Sequence, residues 1–258
     1  MLGTAAALTD GRIADGCVDL TFTTDSALPV ELKDHFVFRL TTPTLEPVAR
    51  PGDLLLVRDH AKPTPLSLVI ALHESRILAR RLQVADNHND VAVLTASAIN
   101  PRRTAAPVVA KFSTLTLKKV VGVLYDSRKT VGGQTSEAEI AECGGESAIS
   151  SILSGAGGLV EVSGHSAEPM ALDKQFLVIG NRVSLKDVEK KLNGRPVIAE
   201  ASDQNRFFKR LRVEPDNVIL ESLEISGDFP PILLSKTPGL LPHISGIWPV
   251  LGVLFEKP

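Results

Sequence analysis

Ser166 and Lys209 are the residues of this chain whose types and settings could carry out a reaction. Ser166 lies in the turn Gly-His-Ser-Ala-Glu-Pro, residues 164–169, at the end of the strand-like run LVEVSG, and Lys209 follows 43 residues later inside RFFKRLRV. A serine hydroxyl is a weak nucleophile at its ordinary pKa and needs a base within hydrogen-bond reach. A lysine can be that base only when neutral, which requires burial, because desolvation penalises the ammonium. Phe207 and Phe208 flank Lys209 and Leu211 follows it, so an alternating strand would direct the amine into a water-poor site. Backbone amides of the turn around Ser166 could serve an oxyanion. A serine and a lysine picked at random at this interval would be surface residues, so the weight rests on the motifs around them.

The elements that must position this pair read as short strands. In the first half these are HFVFRL (35–40), DLLLV (53–57), LSLVIAL (66–72), RILARRL (76–82), DVAVLT (90–95) and KVVGVLYD (119–126). Each is β-branched or aliphatic and bounded by Pro, Gly, Asn or Asp. The second half replays the order with GLVEVSG (158–164), QFLVIG (175–180), RPVIAEA (195–201), RFFKRLRV (206–213), NVILESL (217–223) and WPVLGVLF (248–255). RLTTPTLEPVARPGDLLLV (39–57) sets Thr-Leu-Glu-Pro before a buried strand, as EVSGHSAEPMALDKQFLVI (161–179) sets Ser-Ala-Glu-Pro. ILARRLQVADNHNDVAVLTASAINP (77–101) likewise runs alongside FFKRLRVEPDNVILESLEISGDFP (207–230). Two copies of about 100 residues form an internal duplication and are far too long for solenoid repeats.

Between the copies the composition shifts to Gly, Ser and Ala. We read 1–128 as the first domain, 129–157 as a linker and 158–258 as the second domain. Within the linker Ser136 could cap a short helix SEAEIAE, with Glu139 completing a capping box before Gly144 and Gly145 end it. A second short helix is expected over 146–153 and a surface helix over 184–191.

The 258 residues carry 28 Lys and Arg against 30 Asp and Glu, a net charge of −2, with no global excess that would hold a phosphate backbone. The basic stretches RRLQ and NPRRT are short and poor in aromatics, so no nucleic-acid surface is expected. Cys17 and Cys143 form no CxxC pair, which fits a reducing compartment rather than a disulfide framework. The scattered histidines, His35, His60, His73, His88 and His243, have no metal-binding spacing, and no cofactor is implied. His165, beside Ser166, reads as an exposed turn residue that could also tune the site, and Trp248 as a core or interface anchor. The N-terminus lacks the basic start and long apolar core of a signal peptide, and no apolar run reaches about 18 residues. The expectation is a cytoplasmic chain with no membrane contact. About 30 residues without a helical apolar stripe precede HFVFRL, so no helix-turn-helix is expected ahead of the first copy.

GHSAEPMALDKQFLVI resembles the nucleophile motif of the LexA/CI/UmuD autoproteases, a Gly-Asp-Ser-Met-Glu-Pro turn followed by a strand, and FKRL resembles their Val-Lys-Arg-Leu base strand. The resemblance implies a mainly β fold of two tandem LexA-like domains, with Ser166 the nucleophile and Lys209 the general base. His165 stands where an acidic residue is common and Ala167 where Met is common. In the first copy Thr44 occupies the serine position and Arg80 the lysine position; Arg stays protonated and cannot act as a base, so that copy is expected to be catalytically dead.

Members of that family cut their own chain at an Ala-Gly or Cys-Gly bond upstream of the serine. Cys143-Gly144, 23 residues before Ser166, is the candidate bond, its competing reading being a glycine stop to a short helix. Ala156-Gly157, only 10 residues before Ser166, stands too close to fold back. The tandem arrangement suggests an intramolecular pseudo-dimer, with further homodimerisation open. Two functions follow from the resemblance: a Ser/Lys peptidase acting on itself or a protein partner in a stress (SOS) or prophage-type switch, or an inactive regulatory scaffold for protein–protein interaction.

Overall fold

The computed structural model describes residues 8–9, 12–13, 35–58, 60–74, 76–85, 88–97, 105–126, 140–142, 152–165, 167–223, 229–239 and 242–256. Two short strands near the N-terminus, β1 (Leu8–Thr9) and β2 (Arg12–Ile13), pair with each other. The chain divides into two compact units: Val30–Ile152, and a second that contains Leu153–Pro258. Both are mainly β, and among the described residues the ladders between named strands are antiparallel, with one isolated parallel bridge between Ser235 and His243.

The first unit comprises β3 (His35–Leu40), β4 (Leu54–Arg58), β5 (Leu68–His73), β6 (Arg76–Ala85), β7 (His88–Thr95), β8 (Val108–Lys111), β9 (Thr116–Leu124) and β10 (Ile140–Glu142). Its sheet runs β10-β3-β4-β9-β5-β6-β7-β8. The four leading residues of β4, Leu54–Val57, are all buried, the mark of a strand covered on both faces. Val69, Ala71, Leu78, Leu82, Ala92 and Leu94 form a core on one face of β5 to β7.

The second unit comprises β11 (Ala156–Glu161), β12 (Phe176–Gly180), the single-turn helix α1 (Val188–Leu192), β13 (Pro196–Ala201), β14 (Arg206–Val213), β15 (Asn217–Glu221), β16 (Ile232–Ser235) and β17 (Ile244–Leu254). The sheet runs β11-β12-β17-β13-β14-β15-β16. From β3 to β8 and from β11 to β16, the two units thus share one strand order. Val188 and Leu192, one helical turn apart on α1, enter a core with Phe207, Leu211, Val218 and Leu220. Trp248 on β17 lies beneath the Arg182 guanidinium, whose carbon is 5.7 Å from the ring centre, and Arg182 also donates to the carbonyl of Ser245.

Most expected strands appear within a few residues of their sequence bounds, and RFFKRLRV coincides with β14. Five strands were not anticipated: β1, β2, β8, β10 and β16. The stretch read as a linker contributes β10, antiparallel to β3 with Ala141 opposite Arg39. The capping-box helix expected over 136–142 therefore fails at 140–142, where ladder formation with an open strand overrides local helical preference. Positions 136–139 and 146–151 lie outside the described residues. The expected surface helix is present but shifted, to Val188–Leu192.

Candidate functional site

The turn ahead of β4 and the turn ahead of β12 are built from the same backbone bonds. In the first unit Leu40 N donates to Asp53 O (2.9 Å), Gly52 N to Leu40 O (2.8 Å), Asp53 N to Arg50 O (3.0 Å) and Glu46 N to Pro43 O (3.2 Å). In the second, Val162 N donates to Gln175 O (2.8 Å), Lys174 N to Val162 O (2.9 Å), Gln175 N to Leu172 O (3.1 Å) and Glu168 N to His165 O (3.0 Å). Every partner in the second set stands 122 positions after its counterpart in the first. Gly52 and Lys174, at that same offset, both take positive φ, 101° and 66°. Glu46-Pro47 and Glu168-Pro169 are both cis. A side chain caps each turn: the Asp53 carboxylate accepts from Arg50 N (2.8 Å) and Gln175 Oε1 from Leu172 N (2.9 Å).

At an offset of 122, Thr44 corresponds to position 166. Ser166 itself lies outside the described residues. Thr44 is 4% exposed, in a 3-10 turn over Pro43–Leu45. Its hydroxyl is 3.1 Å from that of Thr42 and makes a long hydrogen bond, 3.4 Å, to the carbonyl of Ala79 on β6. The serine position of the first unit thus touches the strand that carries Arg80.

Lys209 is set by the β13–β14 hairpin. The ladder places it opposite Val197, and two further backbone bonds, Gly194 N to Leu211 O (2.7 Å) and Leu211 N to Arg195 O (2.9 Å), extend the pairing past the strand ends. The β5–β6 hairpin repeats this: Arg80 stands opposite Val69, with Leu66 N to Leu82 O (2.7 Å) and Leu82 N to Ser67 O (2.9 Å) beyond. Side chains alternate across a strand, so Lys209 shares the face of Phe207 and Leu211, both core residues. It is 1% exposed, and its Nζ lies 5.4 Å from the centre of the Phe229 ring. Arg80, 3% exposed, turns one guanidinium nitrogen to the carbonyl of Ala79 at 3.1 Å.

The His165 ring, largely exposed, pairs with Glu168 at 2.6 Å, spanning one turn of the same loop. The candidate bond Cys143-Gly144 lies outside the described residues. Ala156-Gly157 opens β11, where Ala156 pairs with Gly180, so that bond sits in a ladder rather than a loop.

Two features of the first unit were not anticipated. Burial pushes the Asp53 carboxyl up to about 6, against the lowering effect of the Arg50 and Asp126 amides that donate to it. Burial and the neighbouring Asp53 push the Tyr125 hydroxyl up as well, and that hydroxyl has no hydrogen-bond partner among the described residues. Arg39 bridges nearby, donating to Asp126 (3.0 Å) and to the Gly52 carbonyl (2.6 Å). Position matching puts Gln175 and Phe255 in the second unit where Asp53 and Tyr125 stand in the first, a difference that aligned motifs could have revealed.

Among the described residues no group of three or more His, Cys, Asp and Glu could hold a metal ion, and no helix is long and apolar enough to cross a membrane. No protein-family model and no curated protein sequence matches the chain.

Proposed function

We propose that the chain is a LexA-like regulatory protein whose second unit is a Ser/Lys peptidase domain and whose first unit is a degenerate copy of it. The observation that carries this reading is Lys209, buried on the core face of a strand at the rung where the first unit holds Arg80. An amine without water around it is the form of lysine that can take a proton from a serine. The reading takes Ser166 to meet the Lys209 strand as Thr44 meets Ala79 of the Arg80 strand.

In the proposed reaction the Ser166 hydroxyl adds to a peptide carbonyl carbon while neutral Lys209 accepts its proton. The tetrahedral adduct collapses, the C–N bond breaks, and the departing amine takes that proton from Lys209. Water, deprotonated by Lys209, then hydrolyses the ester and restores Ser166. The substrate is the chain's own upstream segment, with Cys143-Gly144 the candidate bond, or a protein partner in a stress or prophage-type switch. The duplication supplies within one chain the two copies that resembling proteins bring together by dimerisation.

Purified protein and its Ser166→Ala variant, incubated from about pH 7 to about pH 10 and followed by intact mass, test this, since that range spans the loss of a lysine proton. Fragments from the unaltered chain alone, increasing toward alkaline pH, support the peptidase. An unbroken chain at every pH, with and without a protein substrate, supports a second reading that the Thr44–Arg80 pair favours: a scaffold that keeps the fold for protein–protein interaction.

A further inference from the structure

Phe229 is a candidate to act through Lys209. It lies just ahead of β16, and the ladders give it a counterpart. Leu220 pairs with Ile232 in the second unit and Leu94 with Val108 in the first, so Phe229-Pro230-Pro231-Ile232 aligns with Ala105-Ala106-Pro107-Val108. The unit with lysine at the buried rung has a phenyl ring here. The unit with arginine has a methyl group.

The surroundings make that ring consequential. Strands β13 to β15 carry Glu200, Arg206, Arg210, Arg212 and Glu221, all of which alternate onto the face opposite Lys209. Strands β16 and β17 carry no charged residue, and the charged residues of α1, Glu189, Lys190 and Lys191, are exposed. Among the described residues Lys209 is therefore the one charged side chain that these five strands turn toward the core face. The Phe229 ring is partly exposed and stands 5.4 Å from Nζ, within the reach of a cation–π contact.

We infer that Phe229 is a positioning residue that covers Lys209, holding its Nζ in place and keeping bulk water from it. This rests on the proposed role of Lys209 as general base. The ring acts in two opposed ways. Its π face favours the ammonium weakly, while its carbon surface denies the ammonium water. Desolvation is the larger of the two at a fully buried nitrogen, so removing the ring should make the amine harder to deprotonate.

The test compares the full-length chain with Phe229→Ala and Phe229→Leu variants, each also carrying Ser166→Ala so that cleavage does not intervene. Lys209 is labelled by reductive methylation across pH and read by peptide mass. The Phe229→Ala chain should show a labelling midpoint higher by about one pH unit, and Phe229→Leu, which keeps the carbon cover, should return it toward the original value. An unchanged midpoint in Phe229→Ala, or a leucine variant that behaves as alanine does, overturns the inference. In the chains that keep Ser166, the alkaline rise of self-cleavage should shift by the same amount. A labelling shift with no cleavage in any chain leaves the cover standing and removes the peptidase; cleavage without a labelling shift does the reverse.

Discussion

Arg80 and Lys209 occupy the same rung of two like hairpins. Arg80 faces Val69 and Lys209 faces Val197, each one residue beyond a buried partner on its strand, Ala79 or Phe208. The buried rung that holds an arginine in one unit holds a lysine in the other. This difference gives the first prediction. Lys209→Arg keeps a long basic side chain yet removes the base, so self-cleavage should fall by at least about 100-fold, the typical contribution of general-base catalysis. Intact-mass time courses at alkaline pH measure it, and a Lys209→Arg chain that still cuts at the original rate would refute the assignment.

The first unit should lose stability as pH rises through the acid range. Asp53 holds its proton more tightly when folded, with its pKa moved from 3.8 to about 6, so below about pH 4 both states are protonated and the carboxyl costs nothing. Between about pH 4 and 6 the unfolded state ionises first, and the accumulated penalty above pH 6 is about 3 kcal/mol. Asp53→Asn should flatten that slope and raise stability at pH 7 by up to about 3 kcal/mol, with little difference at pH 3.5. Urea unfolding at a series of pH values reads both effects.

Leu211 is fully buried in the core against which α1 packs. Truncation to alanine removes its contacts and leaves a cavity, so Leu211→Ala should cost about 2 to 5 kcal/mol. Urea unfolding followed by circular dichroism provides the value. A loss below about 1 kcal/mol would mean that the core is looser than its burial indicates.

Gly246 gives way to the only tryptophan of the chain. A Cβ at that position would lie 2.5 Å from Cη2 and 2.7 Å from Cζ3 of Trp248. Gly246→Ala should therefore displace the indole from beneath Arg182, costing about 1 to 3 kcal/mol and shifting tryptophan emission. Fluorescence of the folded variant makes the displacement visible without any assay of activity.

What could be read from the chain alone followed from strong local patterns. RFFKRLRV is an aromatic and aliphatic run with Phe207, Phe208, Lys209 and Leu211 buried, and it forms a strand over those very residues. β8 and β16 were missed because VVAK and ILLS are four-residue segments among prolines, too short for a period to register. β10 was missed because SEAEIAE satisfies a helical capping pattern, and only the unpaired side of β3 makes a strand of its last three residues. The burial of Lys209 was legible because a cation among phenylalanines is conspicuous. Phe229 was not, since it is 20 residues away and reaches the amine only through the β14–β15–β16 meander. The Asp53–Tyr125 pair escaped for a similar reason, because two strands distant in sequence bring it together.

The repeated strand order also records where this architecture admits extra sequence. Nine residues join β4 to β5 in the first unit, whereas fifteen join β12 to β13 in the second, and α1 lies in the longer connection. The rungs on either side keep their partners despite the difference, as expected when lengthening a surface connection adds only slowly to its closure entropy. The β4–β5 connection is consequently a natural port for an epitope tag or a fluorophore-bearing insert, because a connection six residues longer already exists in its counterpart. The turns ahead of β4 and β12 have the opposite character: equal in length and closed by the same set of backbone bonds at one offset, they have no slack to lend.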